Sequence, residues 1–432
     1  MLRSLISELA PDSSVSLFLP AGVLFPLAGQ ELRVARGNVT LTSEGSGAVL
    51  DAGGGSRVIY VLSGAQLLMR RVHMSNGRTS ADGGGIRLSG SATIALIDLN
   101  ISSCTANERA GALYVGSGSA SLHGCTLNDC EARCTASGSD SFGGALYVGS
   151  GSAVLGHCAV VGCSVNCRRG AKGGALYVWE GSVSLSSCAV SSCTVYSSGT
   201  AVHGGALVLT SGGDASLSDC TITGCSIRNG ATGSSVQGGA LHVSISSDAV
   251  LRGCIVSACT ATAAGYDARG GALYMSGSSA VAELTGCIIT GCMVSSLKTG
   301  KGAGGALYIV RGEASFRDCS FSDLLATSAR GDARGGMLYI CDNGAASMNG
   351  CTLSNCRAAS SGDARGGALY VWDSRVSLGT CSIHSCFASS SNSYARGGAP
   401  YLSGGIAAML ASTVSSCTAS GNDAAAGGLL YT

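Results

Sequence analysis

Apolar residues along this chain alternate with small or polar ones in short bursts, the period of a strand rather than of a helix. In the stretch that begins at Gly204, Leu207 and Leu209 share one face, then Ala215 and Leu217, then Cys220 and Ile222. Gly, Ser or Asp separates the three pairs, so the pattern predicts three short strands joined by corners. The same motif starts again at Gly83, Ala110, Gly143, Gly173, Gly204, Gly238, Gly270, Gly304, Gly335, Gly366, Gly397 and Gly427, 344 residues over eleven intervals and a mean period of about 31. A unit of this size cannot bury its apolar face alone, but stacked on the next unit it can. Like residues then lie above one another, with strands pairing in parallel ~4.8 Å apart. The expected fold is all-β, a right-handed parallel β-helix solenoid with three short strands per rung.

Two columns orient the coil. The position three after each start is Leu from Leu113 to Leu369, with Ile86 before, Pro400 and Leu430 after. The next position runs Arg87, Tyr114, Tyr147, Tyr177, Val208, His242, Tyr274, Tyr308, Tyr339, Tyr370, Tyr401, Tyr431. A site that accepts Arg and His reads as water-facing, so the Leu column is expected inside and the Tyr column outside. Residues 1–30 read as an N-terminal cap and lead-in strand, with a short helix from Ser4 to Ala10 covering the first rung. Residues 31–82 are irregular first rungs, and 83–432 are the regular repeats, which stop partway through a rung at Thr432. That ending suggests a solenoid that continues or a missing cap.

Composition narrows the class. With net charge +1 and only 12% charged residues, nothing indicates nucleic acid as a partner. Sixty-seven Gly against four Pro describe many tight turns with backbone pairing intact between them. No 18-residue apolar run exists, so no transmembrane segment is expected. The start "MLRSLISELAPDSS" lacks the apolar core of a secretory signal, which leaves a chain that stays in the cell or a piece of something longer.

Nineteen of the 22 cysteines fall into two columns, five residues apart within a rung, from Cys125 to Cys381 and from Cys104 to Cys417. The C-x4-C spacing is not that of a zinc site, so no metal and no cofactor are expected. In an extended strand the two Cα atoms lie beyond the ~7 Å reach of a disulfide. Leu replaces one member twice (Leu99 before Cys104, Leu324 after Cys319). The columns therefore read as buried thiols acting as small hydrophobes. Cys134 and Cys167 lie outside them, each four residues past a column cysteine in adjacent rungs, and are the expected disulfide.

GGAL starts followed by L/A-x-L-x-x-C-x-Φ-x-x-C resemble the repeats of chlamydial-type polymorphic outer-membrane proteins, within the pectin-lyase-like right-handed β-helix group. That family's marks are GGA[ILV] and FxxN. GGAL stands here at Gly143, Gly173, Gly204, Gly238, Gly270, Gly304 and Gly366, while FxxN has become Val160 to Cys163, Ile222 to Cys225 and Phe321 to Leu324. Only the run from Met74 to Asn76 keeps the Asn. The resemblance spans roughly residues 30–432 and implies a surface-exposed adhesive or structural passenger, outside the cell.

β-Helices also carry polysaccharide lyases and hydrolases, the alternative reading, which requires carboxylates converging beside a basic residue. Here Asp267, Asp332 and Asp363 each precede Arg269, Arg334 and Arg365 by two residues at the same point of the repeat, and read as solvated ion pairs of a stacked turn. A catalytic site is singular; these are periodic, so catalysis is not expected. The candidate contact surface is an aromatic strip of Tyr147, Tyr177, Trp179, Tyr274, Tyr308, Tyr339, Tyr370 and Trp372, suited to stacking on a glycan or a protein. The competing explanation is that the tyrosines stack on one another between rungs. The loop after the second cysteine column, for example Thr194 to His203 and Thr260 to Arg269, varies in length and is the other candidate, although its Ala, Ser and Gly offer little chemistry. Arg330, Gly331 and Asp332 spell an adhesion tripeptide but fall inside the periodic turn.

Overall fold

The computed structural model describes residues 2–7, 13–134, 139–199, 202–230, 234–428 and 431. The chain divides into two compact units, one of residues 1–194 with 213–215 and one of 195–212 with 216–432, and each is a parallel β-solenoid.

In the first unit the coil that starts at Gly143 supplies strands Leu146–Val148, Ser152–Gly156 and Ala159–Val161. They pair in parallel with the coils on either side, in register: Leu113 with Leu146 with Leu176, Ala120 with Ala153 with Val183, Leu127 with Val160 with Val190. In the second unit the coil from Gly304 supplies Leu307–Val310, Glu313–Arg317 and Ser320–Ser322. There Leu273, Leu307 and Leu338 form one file, Leu284, Phe316 and Met348 another, and Ile289, Phe321 and Leu353 a third. These three ladders are the expected ones, and their inward files are buried, Leu146, Leu307 and Phe321 completely. Leu430 lies outside the described residues.

Two further, shorter ladders occupy the segment after the second cysteine column. In the Gly304 coil they are Leu325–Ser328 and Ala333–Arg334, and in the Gly143 coil Ser164–Cys167 and Ala171–Lys172. A stretch expected as loop is thus paired backbone. The N-terminal helix runs Leu2–Ser7 and packs on strand Leu32–Val34, with Ile6 buried. It begins earlier than expected, and residues 8–10 of the expected span lie outside the described residues.

The corners explain the residues beside the cysteines. The residue immediately before a column cysteine is left-handed: Gly124 (φ 61), His157 (φ 52) and Asp318 (φ 53) before one column, Asp129 (φ 51), Ala258 (φ 52) and Gly291 (φ 61) before the other. This one residue bends the strand and turns the next side chain inward. All twenty free cysteines are buried. Their thiols meet carbonyls at the bend; Cys319 Sγ donates toward Leu284 O at 3.4 Å and Arg317 O at 3.3 Å. A small apolar side chain with one weak donor suits that place better than valine. Cys134 and Cys167 are bridged, with Cα atoms 5.0 Å apart.

Candidate functional site

The tyrosine column is a stack of parallel rings. In the first unit Tyr114 and Tyr147 have centroids 5.1 Å apart, and Tyr147 and Tyr177 5.4 Å. In the second, His242, Tyr274, Tyr308, Tyr339, Tyr370, Tyr401 and Tyr431 follow one another at 4.7–5.3 Å. The expectation that this column faces water is corrected. Tyr147, Tyr177, Tyr274, Tyr308, Tyr339 and Tyr370 are only 2–7% exposed, whereas Trp179 and Trp372 are 42% and 41% exposed. Of the aromatic strip, the two tryptophans alone present a surface to solvent.

What covers the rings is the segment expected to be loop. Its second ladder lies beside the tyrosine strands and lays a cation over the ring two coils on. Arg269 sits 5.4 Å from the Tyr308 centroid, Arg334 5.4 Å from Tyr370, and Arg365 5.9 Å from Tyr401. In the first unit Arg109 sits 5.2 Å from Tyr147. Each contact is a cation–π interaction strengthened by partial burial. The side chains point away from the coil interior and are nonetheless enclosed. Arg and His occur in the column because they are planar, not because the site is wet. Arg87 lies 5.5 Å from the rings of both Tyr60 and Tyr114, and His242 stacks on Tyr274 at 5.0 Å.

The Asp–Arg pairs are corrected in the same way. Arg269 Nη2 donates to Asp267 Oδ2 at 2.8 Å, Arg334 Nη2 to Asp332 Oδ2 at 2.6 Å, and Arg365 to Asp363. The arginine side chains are only 14–27% exposed, so these pairs are half-enclosed rather than solvated. Asp332 is thereby committed to Arg334 and is not free to act as the last residue of an adhesion tripeptide. Burial pushes the Tyr177 hydroxyl up to about 12 and raises those of Tyr308 and Tyr339. Burial alone would raise Asp363 as well, but the Ser393 hydroxyl at 2.6 Å and Arg365 pull it below its usual range.

Between Arg269 and Arg396 the cation ladder has one break. Arg269, Ala303, Arg334, Arg365 and Arg396 pair in sequence, and Ala303 is the member without a guanidinium. In that coil Lys301 stands where Asp267, Asp332 and Asp363 precede Arg269, Arg334 and Arg365. Lys301 is exposed and, among the described residues, in no ion pair, although its backbone N–H donates to Asp267 Oδ1 at 2.8 Å. Among the described residues no cation lies over Tyr339, the ring that an arginine at 303 would cover by the pattern of its neighbours. The result is a cavity of about 450 Å³ between Arg269 and Arg334, with Lys301 and Asp267 at its rim and Trp372 along one side. The sequence shows this break as "KGAGG" among repeats of "DARGG". That contrast was available to reading, whereas the role of the missing arginine was not, because nothing in one sequence says that the arginines lie on tyrosines.

A second cavity of about 550 Å³ in the first unit is lined by Arg3, Arg33, Arg57, Arg78 and Glu31. Arg57 there is saturated, by Glu31 Oε2 at 2.7 Å and the carbonyls of Asp82 and Gly83. Among the described residues no group of three or more His, Cys, Asp and Glu side chains is placed to hold a metal ion. Among the described residues no helix is long and apolar enough to cross a membrane. In comparison with known proteins, no family model matches the chain and no curated protein is similar enough to serve as a relative.

Proposed function

We propose that this protein is a non-catalytic β-solenoid module, a rigid scaffold whose outer faces contact glycans or proteins. The observation that carries the reading is the periodic pairing of its charges. Asp267, Asp332 and Asp363 each hold an arginine of their own turn, and those arginines cover the tyrosine stack. Acid–base hydrolysis or elimination needs carboxylates converging on one exposed point, with pKa values set apart by their surroundings. These three carboxylates repeat along a line and are occupied by structural partners. The likeness to polymorphic outer-membrane-protein repeats agrees with this reading and extends it to a surface-exposed, adhesive passenger.

Trp179 and Trp372 supply the exposed aromatic faces for contact. The test is a glycan array probed with the purified chain and with Trp179→Ala and Trp372→Ala variants, beside incubation with polyuronates and neutral polysaccharides. Saturable binding weakened by either substitution, with no new chain ends released, is the expected result. Release of unsaturated or reducing ends overturns it.

A further inference from the structure

We propose that the break in the cation ladder at Ala303 is a binding site for a single sugar ring bearing one oxyanion group, sulfate or carboxylate. The inference rests on the contact-module reading and assigns that module a specific pocket.

Four observations converge on it. The ladder on either side shows what is missing: each arginine fills the space over a tyrosine, and at Ala303 that space is open, with Tyr339 beneath it. The volume, about 450 Å³, is of small-ligand size. Three cations, Arg269, Lys301 and Arg334, surround it against one carboxylate, Asp267. Arg269 and Arg334 already hold Asp267 and Asp332, so Lys301 is the cation in excess. Its ammonium acts as a compact point charge that a single oxyanion would satisfy. Trp372, 41% exposed, offers an indole wall on which the C–H face of a pyranose can lie.

The carboxylate selects among anions. Asp267 at the rim repels a multiply charged phosphate but accepts hydrogen bonds from the hydroxyls of a sugar. A monoanionic ring with several hydroxyls matches cation, carboxylate and aromatic wall together. The same coil explains how the site arose: Lys301 and Ala303 replace the Asp and Arg of the turn, so one local departure removes the plug and leaves an unpaired positive charge.

The test uses the full chain and calorimetric titration with four probes. These are a sulfated disaccharide, its desulfated counterpart that keeps the uronate carboxylate, a neutral disaccharide, and inorganic sulfate. One variant, Ala303→Arg with Lys301→Asp, restores the ladder and is expected to fold at least as stably as the parent chain. The expected result is saturable binding of one or both anionic sugars, at least tenfold weaker in the refilled variant and in Trp372→Ala, with neutral sugar and sulfate alone tenfold weaker or more. Preference between the first two probes identifies the oxyanion. Unchanged anionic-sugar binding in the refilled variant places the contact elsewhere and overturns the pocket, while leaving a contact module standing. Binding of sulfate as tight as that of the sugar overturns the sugar assignment. Absence of binding by both anionic sugars overturns the pocket, and only absence across the whole glycan array as well removes the contact-module reading.

Discussion

Replacing Tyr339 with alanine distinguishes rings that hold the protein together from rings that wait for a ligand. Tyr339 is 4% exposed and lies between Tyr308 and Tyr370, at centroid distances of 4.7 and 4.9 Å and nearly parallel to both. Truncating a buried aromatic side chain to alanine costs about 3–5 kcal/mol. Within that, the two ring-face contacts account for ~0.5–1.5 kcal/mol each. An exposed ring in the same place would cost no more than ~0.5 kcal/mol, the usual range for a surface substitution. Trp372→Ala, at an exposed site of the adjoining coil, serves as the control and is expected to cost under ~1 kcal/mol. Because a solenoid is stabilised coil by coil, a global melting curve dilutes the effect. Native-state hydrogen exchange reads it locally. Amides of the coils that carry Tyr308, Tyr339 and Tyr370 are expected to lose protection by about a hundredfold or more, since each 1.36 kcal/mol is a factor of ten. Tyr339→Phe, which keeps the ring, stays close to the parent. If Tyr339→Ala and Trp372→Ala exchange alike, the stack is not a stabilising element and the account of the tyrosine face fails.

Thiol titration in denaturant without reductant is expected to give 20 reactive groups, rising to all 22 after reduction, and almost none in the native protein; a lower first count would mean that the columns are bridged. Alkaline pH is expected to weaken the fold. Burial holds the Tyr177 hydroxyl at about 12, and hydrogen bonding between neighbouring thiols, with burial added, holds Cys158 and Cys287 at about 11. Groups whose folded values lie above their unfolded ones stabilise fully below the unfolded value and lose that contribution as pH rises through the folded one. The loss therefore begins near pH 9 with the thiols and continues from about 10 to 12 with the tyrosines, followed by urea midpoints and tyrosinate absorbance; flat midpoints up to pH 11 would contradict it. At the repeat start, Gly304→Ala is expected to destabilise by ~2 kcal/mol or more, since φ there is 64° and an added Cβ would lie 2.1 Å from Leu307 O. Ala258→Gly, at a corner with φ 52°, is expected to stabilise by up to ~1 kcal/mol; a loss would show that its methyl packs usefully.

The repeat made the coil legible because register in a solenoid is written as recurrence. Leu113, Leu146 and Leu176 recur at one position, and the structure pairs them. The buried cysteines were equally readable, since Leu324 in place of a column cysteine rules out an obligatory partner. The outer face was not. Tyr, Arg and His at one position suggest water when each is judged by its own polarity, yet Arg87 is seated between Tyr60 and Tyr114 by the faces of their rings. Recognising this required knowing which segment lies over which. The two short ladders were hidden for a related reason: strands of two to four residues rich in Ala, Ser and Gly carry almost no alternation, and neighbouring coils impose their pairing.

Repetition also changes where function should be sought. When every coil repeats its neighbour, the residue types usually taken as functional signals (tyrosine, arginine, aspartate, cysteine) are used up in contacts with their own kind. Information then resides in departures from the series, and departures differ in whether the fold fills them. At Val208 the ring column of the second unit lacks an aromatic side chain. Val208 is nonetheless buried, and the short ladder lays His203 over the next ring, His242, with Nδ1 to Nδ1 at 3.2 Å and ring centroids 4.4 Å apart, where the arginines elsewhere lie over tyrosines, so the covering layer is unbroken there. At Ala303 the missing group belongs to the covering layer instead. Lys301 stays exposed rather than folding over Tyr339, and the space remains. A departure repaired from within is explained by packing alone, whereas one left open beside an unpaired charge calls for something outside the chain.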